Sequence, residues 1–242
     1  MLTIEANNLF KQYKGSDTWA VRDVSFGASQ GEVVGLVGEN GAGKSTLLRM
    51  LATMLKPSAG RVSVAGFDAA KDPSSVRRSV GILFGQQNGL YERLTARENI
   101  LYFARLNGMG RDETRRRLPK ISAMLEMEGF LDLRAGTFST GMRQKTLIAR
   151  SIIHDPAVLM LDEPASGLDV TSARNIHSFI KWCRDAGKTV IFSSHDLHTV
   201  ERISDRVLLL RNGLLTASGP PAEITGETSL EELFFRIHGE AE

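Results

Sequence analysis

Short apolar runs bounded by turn residues recur along this 242-residue chain and alternate with segments of helical periodicity. The runs at residues 32–37, 80–84, 158–161, 189–193 and 207–210 predict strands. The continuous run at 158–161 indicates a strand that is covered on both faces, as in a parallel sheet. Apolar residues at helical spacing predict helices over residues 46–55, from about 95 to 128 with a break at 108–110, and over 141–154.

The two ends of the chain also have β character. Short strands are predicted around residues 2–6, 24–26 and 61–65, and Asn212-Gly213 is a hairpin signal leading into 214–218. A capping box from Ser229 to Glu232 opens a last amphipathic helix. The pattern predicts one α/β domain over residues 1–242, with a helical insertion at 87–156 and a short C-terminal helix within 220–242.

Composition, charge and cysteine content limit the classes of protein to which this chain can belong. A hydrophobic content of 42%, a charged content of 24% and a net charge of +2 are typical of a globular protein and give no electrostatic argument for nucleic-acid binding. Cys183 is the single cysteine, which excludes an intrachain disulfide and a cysteine-based zinc site and suits a reducing cytosol. Residues 1–9 lack a secretory signal pattern and no apolar stretch approaches 18 residues, so we expect no membrane span.

The segment GENGAGKST at residues 38–46 carries the clearest chemistry. It matches the phosphate-binding loop G-x-x-x-x-G-K-[ST] and lies between a predicted strand and a predicted helix. Its glycines would turn backbone N–H groups toward phosphate oxygens at a helix N-terminus. Lys44 would reach the β- and γ-phosphates, and the Ser45 hydroxyl would hold Mg²⁺. A glycine-rich turn that binds nothing is the alternative, and the strand–loop–helix context favours a nucleoside triphosphate.

Two acids and a histidine follow predicted core strands. Asp162 and Glu163 end one apolar run and His195 ends the next. Ligands of parallel sheets bind at the carboxyl ends of strands, so Asp162 is expected to bind Mg²⁺ and Glu163 to orient or deprotonate the attacking water. His195 is placed to hydrogen-bond the γ-phosphate. The alternatives are acids that cap a turn before Pro164 and a structural histidine.

A possible anion site lies at the start of the predicted helix near Gly141. Ser139 can cap this helix, and a helix N-terminus that offers a hydroxyl and a glycine can bind an anion. From the residues alone, a simple capped helix is the better interpretation.

Taken together, these motifs resemble the ATP-binding subunits of ATP-binding-cassette (ABC) transporters, over nearly all of residues 3–220. GENGAGKST resembles that family's Walker A, LMLDEP (159–164) its Walker B, STGMRQ (139–144) its signature, SGLD (166–169) its D-loop and SSHD (193–196) its switch histidine. The resemblance implies an α/β phosphate-loop NTPase core, RecA-like, whose sheet is mostly parallel with an antiparallel N-terminal β portion, plus an inserted α-helical subdomain.

The resemblance also implies roles for particular residues. Tyr13 would stack on adenine, with a surface aromatic as the alternative, and Gln86 would be the Q-loop glutamine that senses Mg²⁺ and the attacking water, although the adjacent Gln87 fits almost as well. Catalysis would rest on Glu163, His195, Gln86 and Lys44. Metal binding would fall to Ser45, Gln86 and Asp162. Nucleotide binding would involve Tyr13, Gly38, Asn40, Gly41, Gly43, Lys44, Ser45, Thr46, Ser139 and Gly141.

The signature departs from the family's commonest form, L-S-G-G-Q. Here Thr140 replaces a glycine and Met142 a glutamine, while Ser139 and Gly141 keep the anion site chemically intact. This form, with GLYERLTAREN (89–99), is similar to the sodium- and drug-exporter branch.

By resemblance the chain is an ATPase, with ATP and Mg²⁺ as cofactors, that powers a separate integral membrane permease from the cytoplasmic face of the membrane. It would pair head to tail with a second copy or a homologous subunit, would bind no nucleic acid, and would serve export of sodium or a drug-like cargo. The rivals are an ABC ATPase acting on nucleic acid or the ribosome and a phosphate-loop kinase.

Overall fold

The computed structural model describes residues 2–84 and 89–239. The described strands, in chain order, are β1 (Leu2–Gln12), β2 (Trp19–Ser29), β3 (Val33–Val37), β4 (Ala59–Val64), β5 (Phe67–Asp68), β6 (Val80–Phe84), β7 (Val158–Asp162), β8 (Thr189–Ser193), β9 (Arg206–Arg211) and β10 (Leu214–Gly219). The described α-helices are α1 (Lys44–Leu51), α2 (Pro73–Ser79), α3 (Ala96–Leu106), α4 (Arg111–Met124), α5 (Thr140–Ile152), α6 (Val170–Asp185), α7 (Leu197–Ile203), α8 (Pro221–Thr225) and α9 (Leu230–Gly239).

The described strands form two sheets. A six-stranded sheet has the order β10-β9-β3-β8-β7-β6, in which β9, β3, β8, β7 and β6 run parallel and the β9–β10 hairpin adds an antiparallel edge. A four-stranded antiparallel sheet has the order β2-β1-β4-β5. The predicted α/β class, with a mostly parallel sheet and an antiparallel N-terminal portion, is confirmed.

The parallel sheet is buried on both faces, as its apolar runs predicted. Along β3, Val34 and Leu36 pack in one hydrophobic core, which also holds α1 and the antiparallel sheet. Val33 and Val37 point the other way, into a second core that holds α5 and α6. Alternation along one strand thus fixes α1 and α5 on opposite sides of the sheet.

Between β6 and β7 the described chain is helical and contains α3, α4 and α5. Helix α3 begins with a complete capping box, in which Thr95 accepts the Glu98 N–H and Glu98 accepts the Thr95 N–H. We retain as proposals the subdomain bounds of 87–156 and a single domain over 1–242. The last segment contains α8 as well as the predicted helix, which the structure places at Leu230–Gly239.

Candidate nucleotide-hydrolysis site

The loop between β3 and α1 has a backbone that its glycines make possible. Gly43 has a φ of 106°, and a Cβ there would lie 2.3 Å from the Ala20 carbonyl oxygen. Gly38 has a φ of 157°, and a Cβ there would lie 2.4 Å from the Leu210 carbonyl oxygen. A larger side chain at either position would push the loop off the neighbouring strands, so both glycines are required by packing as well as by conformation.

Lys44 begins α1 and is 7% exposed. Its Nζ donates to the carbonyls of Gly38 at 2.6 Å and Glu39 at 3.1 Å, which holds the ammonium on the loop. Burial lowers the pKa of Lys44 below its ordinary value, and the charges of Glu163 and Asp162 oppose that change. The parallel pairing of β3 with β8 and of β8 with β7 brings the phosphate loop and the predicted acids to the same edge of the sheet.

Tyr13 is the expected adenine-stacking residue and lies beside the start of α1. Its hydroxyl is 3.1 Å from Thr46 Oγ1, its side chain is 41% exposed, and Lys11 Nζ lies 5.6 Å from its ring centroid. An exposed ring at the edge of a phosphate loop is available for stacking. Asn40 and Gly41 are exposed on the same loop, while Ser45 is half-buried.

Asp162 and Glu163 lie at the carboxyl end of β7, next to the end of β8. The β7–β8 register pairs Asp162 with Ser193. The fully buried Ser193 hydroxyl donates to Asp162 Oδ1 at 2.6 Å and accepts the Glu163 N–H at 2.9 Å. Glu163 has a φ of 51°, a left-handed conformation that is unfavourable for a side chain with a Cβ. Ser193 therefore orients one acid through its carboxylate and the other through its backbone.

His195 and Glu163 contact each other directly. His195 Nδ1 lies 2.8 Å from Glu163 Oε2, and the imidazole is 68% exposed whereas the Glu163 side chain is 27% exposed. Because a carboxylate oxygen can only accept, the ring nitrogen is the donor. The predictions for these residues assigned separate tasks, the γ-phosphate to His195 and water to Glu163. The structure joins the two side chains into one unit.

Ser139 and Gly141 lie at the start of α5, the last helix of the segment between β6 and β7. Ser139 is the N-cap of α5, and its hydroxyl accepts the Met142 N–H at 3.2 Å. Ser139 is exposed, and within the described residues it forms no hydrogen bond to Lys44 or to the acids. Ser139 is thus presented outward, whereas Gly141 is half-buried.

Gln144, in the second turn of α5, is a residue whose importance the sequence did not reveal. It is 9% exposed, and its Nε2 donates to the Pro164 carbonyl at 3.0 Å. This bond joins the signature helix to the residue that follows Glu163. Gln86 and Gln87, the candidate Q-loop residues, lie outside the described residues.

The oxygen donors of the site fit a magnesium ion. Among the described residues no group of three or more His, Cys, Asp or Glu side chains could hold a metal by itself. Mg²⁺ needs no such cage, because it binds through one or two protein oxygens together with substrate phosphates and water. The Ser45 hydroxyl and the Asp162 carboxylate supply donors of this hard type.

Comparisons with known proteins agree on the family. The family model described as ABC transporter matches residues 21–166. The ATP-binding protein NatA of Bacillus subtilis is 47% identical over 80% of this chain and 79% of its own length. The doxorubicin resistance ATP-binding protein DrrA of Mycobacterium tuberculosis is 33% identical over 95% of this chain and 70% of its own length.

Solved structures give the same result for the fold. An ATP-binding subunit of an ABC transporter superposes with a TM-score of 0.89 at 30% identity, over 98% of this chain and 100% of that one. A dimeric post-hydrolysis state of the cassette MJ0796, bound to ADP and Pi, gives a TM-score of 0.79 at 28% identity, over 90% and 98% of the two chains. None of the helices in the described ranges combines the length and apolar character needed to cross a bilayer.

Proposed function

Because this chain belongs to the ABC transporter family and is one of its ATP-hydrolysing subunits, we propose that the site around Lys44, Asp162, Glu163 and His195 hydrolyses MgATP to drive a separate membrane permease. The observation that carries the proposal is that four side chains lie beyond the carboxyl ends of three neighbouring parallel strands, β3, β8 and β7. The charges of both acids raise the pKa of Lys44 against the effect of its burial. The Ser193 hydroxyl forms hydrogen bonds with both acids, and His195 contacts Glu163.

The reaction is an in-line attack of water on the γ-phosphorus of ATP, which breaks the bond to the β-phosphate oxygen and releases ADP. Glu163 accepts the proton of the attacking water, and His195 fixes the orientation of the Glu163 carboxylate. Lys44 stabilises the charge on the transferred phosphoryl oxygens. Mg²⁺, held by Ser45 and Asp162, would neutralise charge on the β- and γ-phosphates. Gln86 remains our proposal for the residue that senses Mg²⁺ and the water.

Two chains would complete the site. Ser139 is exposed and Gly141 is half-buried at the start of α5, where a helix N-terminus favours an anion. In a head-to-tail pair, the signature of one chain would bind the γ-phosphate held by the phosphate loop of the other. The dimeric form of MJ0796 supports this arrangement.

A groove between the sheet edge and α3 is our candidate for permease docking, and the chain would then sit peripherally at the cytoplasmic face of the membrane. The groove has a volume of about 840 Å³ and is lined by Leu90 and Tyr91, whereas Arg93 is not among its lining residues. Exposed apolar side chains surround it, with Met54 60%, Leu106 63% and Tyr91 49% exposed. Exposed apolar side chains around one groove favour a protein partner.

Charge further defines the partner. Arg77 and Arg78 lie on the α2 side of the groove. A cytoplasmic permease helix with one apolar face and an acidic residue at its edge would satisfy both the apolar wall and the arginines. The similarity to NatA and to the doxorubicin resistance protein DrrA supports export as the direction of transport. Sodium or a drug-like molecule is the proposed cargo.

The catalytic proposal is tested with Glu163→Gln. Glutamine is nearly isosteric and should leave ATP binding intact, but it cannot accept the proton of water, so hydrolysis should fall by about 10²–10⁴. Unhydrolysed MgATP should then hold two chains together in size-exclusion chromatography. Adding Lys44→Ala to the same protein should abolish the ATP-dependent dimer. A Glu163→Gln protein that hydrolyses ATP at the wild-type rate would overturn the assignment of the base.

The docking proposal has a matched control in this chain. Tyr91→Ala combined with Arg77→Glu should abolish co-purification with the permease and transport while sparing basal hydrolysis. Arg93→Glu changes the same charge outside the groove and should leave both unchanged. Normal transport by the double variant would place the docking surface elsewhere.

A further inference from the structure

Helix α5 carries a partly buried arginine that the reaction does not use. Arg150 lies in its last turn, and its Nη1 donates to the Gly89 carbonyl. Its Cζ lies 4.2 Å from the centroid of the Phe103 ring, and no carboxylate of the described residues pairs with it. Burial lowers the pKa of Arg150 to about 10.

This arginine is costly to the fold. A partly buried guanidinium without a carboxylate partner has lost part of its hydration, and the Gly89 carbonyl and the Phe103 face compensate only in part. An unbranched apolar side chain of similar length would pack on Phe103 without that cost. Stability alone therefore does not account for an arginine at position 150.

The contact fastens one wall of the docking groove to α5. Gly89 and Tyr91 line the groove, and Tyr91 is held in turn by Asn99, whose Oδ1 accepts the Tyr91 N–H at 2.8 Å. A Cβ at Gly89 would lie 2.6 Å from Leu147 Cδ2, so the chain there rests directly on the helix. The segment 89–91 is thus attached to α5 by packing and by the Arg150 hydrogen bond.

A different face of α5 is attached to the residue that follows the catalytic base. Gln144 donates to the Pro164 carbonyl, one residue beyond Glu163. Six residues separate Gln144 from Arg150, which corresponds to about 9 Å along the axis and about 240° around it. Leu147, Ile148 and Ile152 are buried in the core, so the intervening helix is well packed.

We propose that Arg150 and Gln144 are positioning residues, which make α5 a rigid link between the docking groove and the Glu163 loop. The inference rests on the proposed function, since the groove matters only if a permease occupies it and Glu163 only if it is the base. A permease that displaces the groove wall displaces Gly89. The Arg150 hydrogen bond then displaces α5, and the Gln144 hydrogen bond displaces Pro164. Closure of an ATP-bound dimer immobilises Ser139 at the start of the same helix. This should reduce the mobility of the groove wall.

The test measures hydrogen–deuterium exchange of the amides of residues 89–94 in full-length Glu163→Gln protein, with and without MgATP. We expect MgATP to slow this exchange by about threefold or more, because a helix immobilised at Ser139 holds the groove wall. Adding Arg150→Met should reduce the response to below about 1.5-fold while the ATP-dependent dimer still forms. Arg150→Lys keeps a donor for Gly89 and should retain part of the response. Arg116→Met, an exposed arginine on α4, should change nothing.

Kinetics separate positioning from simple structural support. Gln144→Leu should lower kcat by about tenfold with KM for ATP within about twofold, because the base and not the nucleotide is displaced. An equal MgATP response with and without Arg150, or no response in a Glu163→Gln dimer, would overturn this inference and leave the proposed function intact. A Glu163→Gln protein that never dimerises with MgATP would overturn both.

Discussion

Ser193 offers the sharpest test of how the two acids are held. Its hydroxyl donates to Asp162 at 2.6 Å and accepts the Glu163 N–H at 2.9 Å from a fully buried position on β8. Ser193→Ala removes the hydroxyl with little change of volume, so the loss is confined to these bonds. The charge-assisted bond contributes about 1.5–3 kcal/mol and the backbone bond about 0.5–1.5 kcal/mol, which together give about 2–4 kcal/mol.

Two measurements check this value. For a domain of this size, 2–4 kcal/mol corresponds to a fall in Tm of about 5–15 °C. We also expect kcat for phosphate release to fall by at least about tenfold, because Glu163 is held at a positive φ and loses the acceptor that fixes its backbone. The control is Ser194→Ala, since within the described residues the Ser194 hydroxyl accepts only the Asp196 N–H, at 3.0 Å. If Ser193→Ala matches this control in Tm and kcat, Ser193 does not orient the acids.

Three further predictions follow from the site and the fold. Lys44→Ala should reduce Mg²⁺-dependent phosphate release by about a hundredfold or more, because it removes the buried cation of the loop; near wild-type release would refute the assignment. Ser139→Ala should lower hydrolysis at least about tenfold with unchanged ATP affinity of the monomer, since a charge-assisted bond contributes about 1.5–3 kcal/mol; an unchanged rate would make Ser139 only a helix cap. A hydrogen bond from Arg117 and, to a smaller extent, one from Lys188 lower the pKa of Asp155 from 3.8 to about 2. The contribution of ionised Asp155 to the unfolding free energy is therefore complete above pH 4 and is lost as the pH falls toward 2. Screening at a side chain that is 55% exposed limits that contribution to about 1 kcal/mol, and Asp155→Asn should lower the unfolding free energy by this amount at pH 6 but not at pH 2.

Local sequence was sufficient wherever the chemistry lies within a few consecutive residues. The phosphate loop, the capping box at Ser229 and the strand that ends in two acids are of this kind, because spacing and residue type fix the backbone directly. Helix α6 was missed although Ile176, Phe179, Ile180 and Cys183 are buried at helical spacing. Its Asp169 cap, which accepts the Ser172 N–H, was an available signal that the D-loop resemblance obscured.

By itself the sequence determined the family and the α/β class and predicted the residues of the nucleotide site, because each motif combines a characteristic spacing with residue types of known chemistry. Only the tertiary structure decided how those motifs join. The serine that holds both acids depends on the β7–β8 register, and the His195–Glu163 contact depends on two strand ends meeting. The bonds from α5 to Pro164 and Gly89 span 20 and 61 residues of chain. Packing, which no local pattern encodes, sets such distances. The link from the groove to the catalytic glutamate therefore became visible only in the fold.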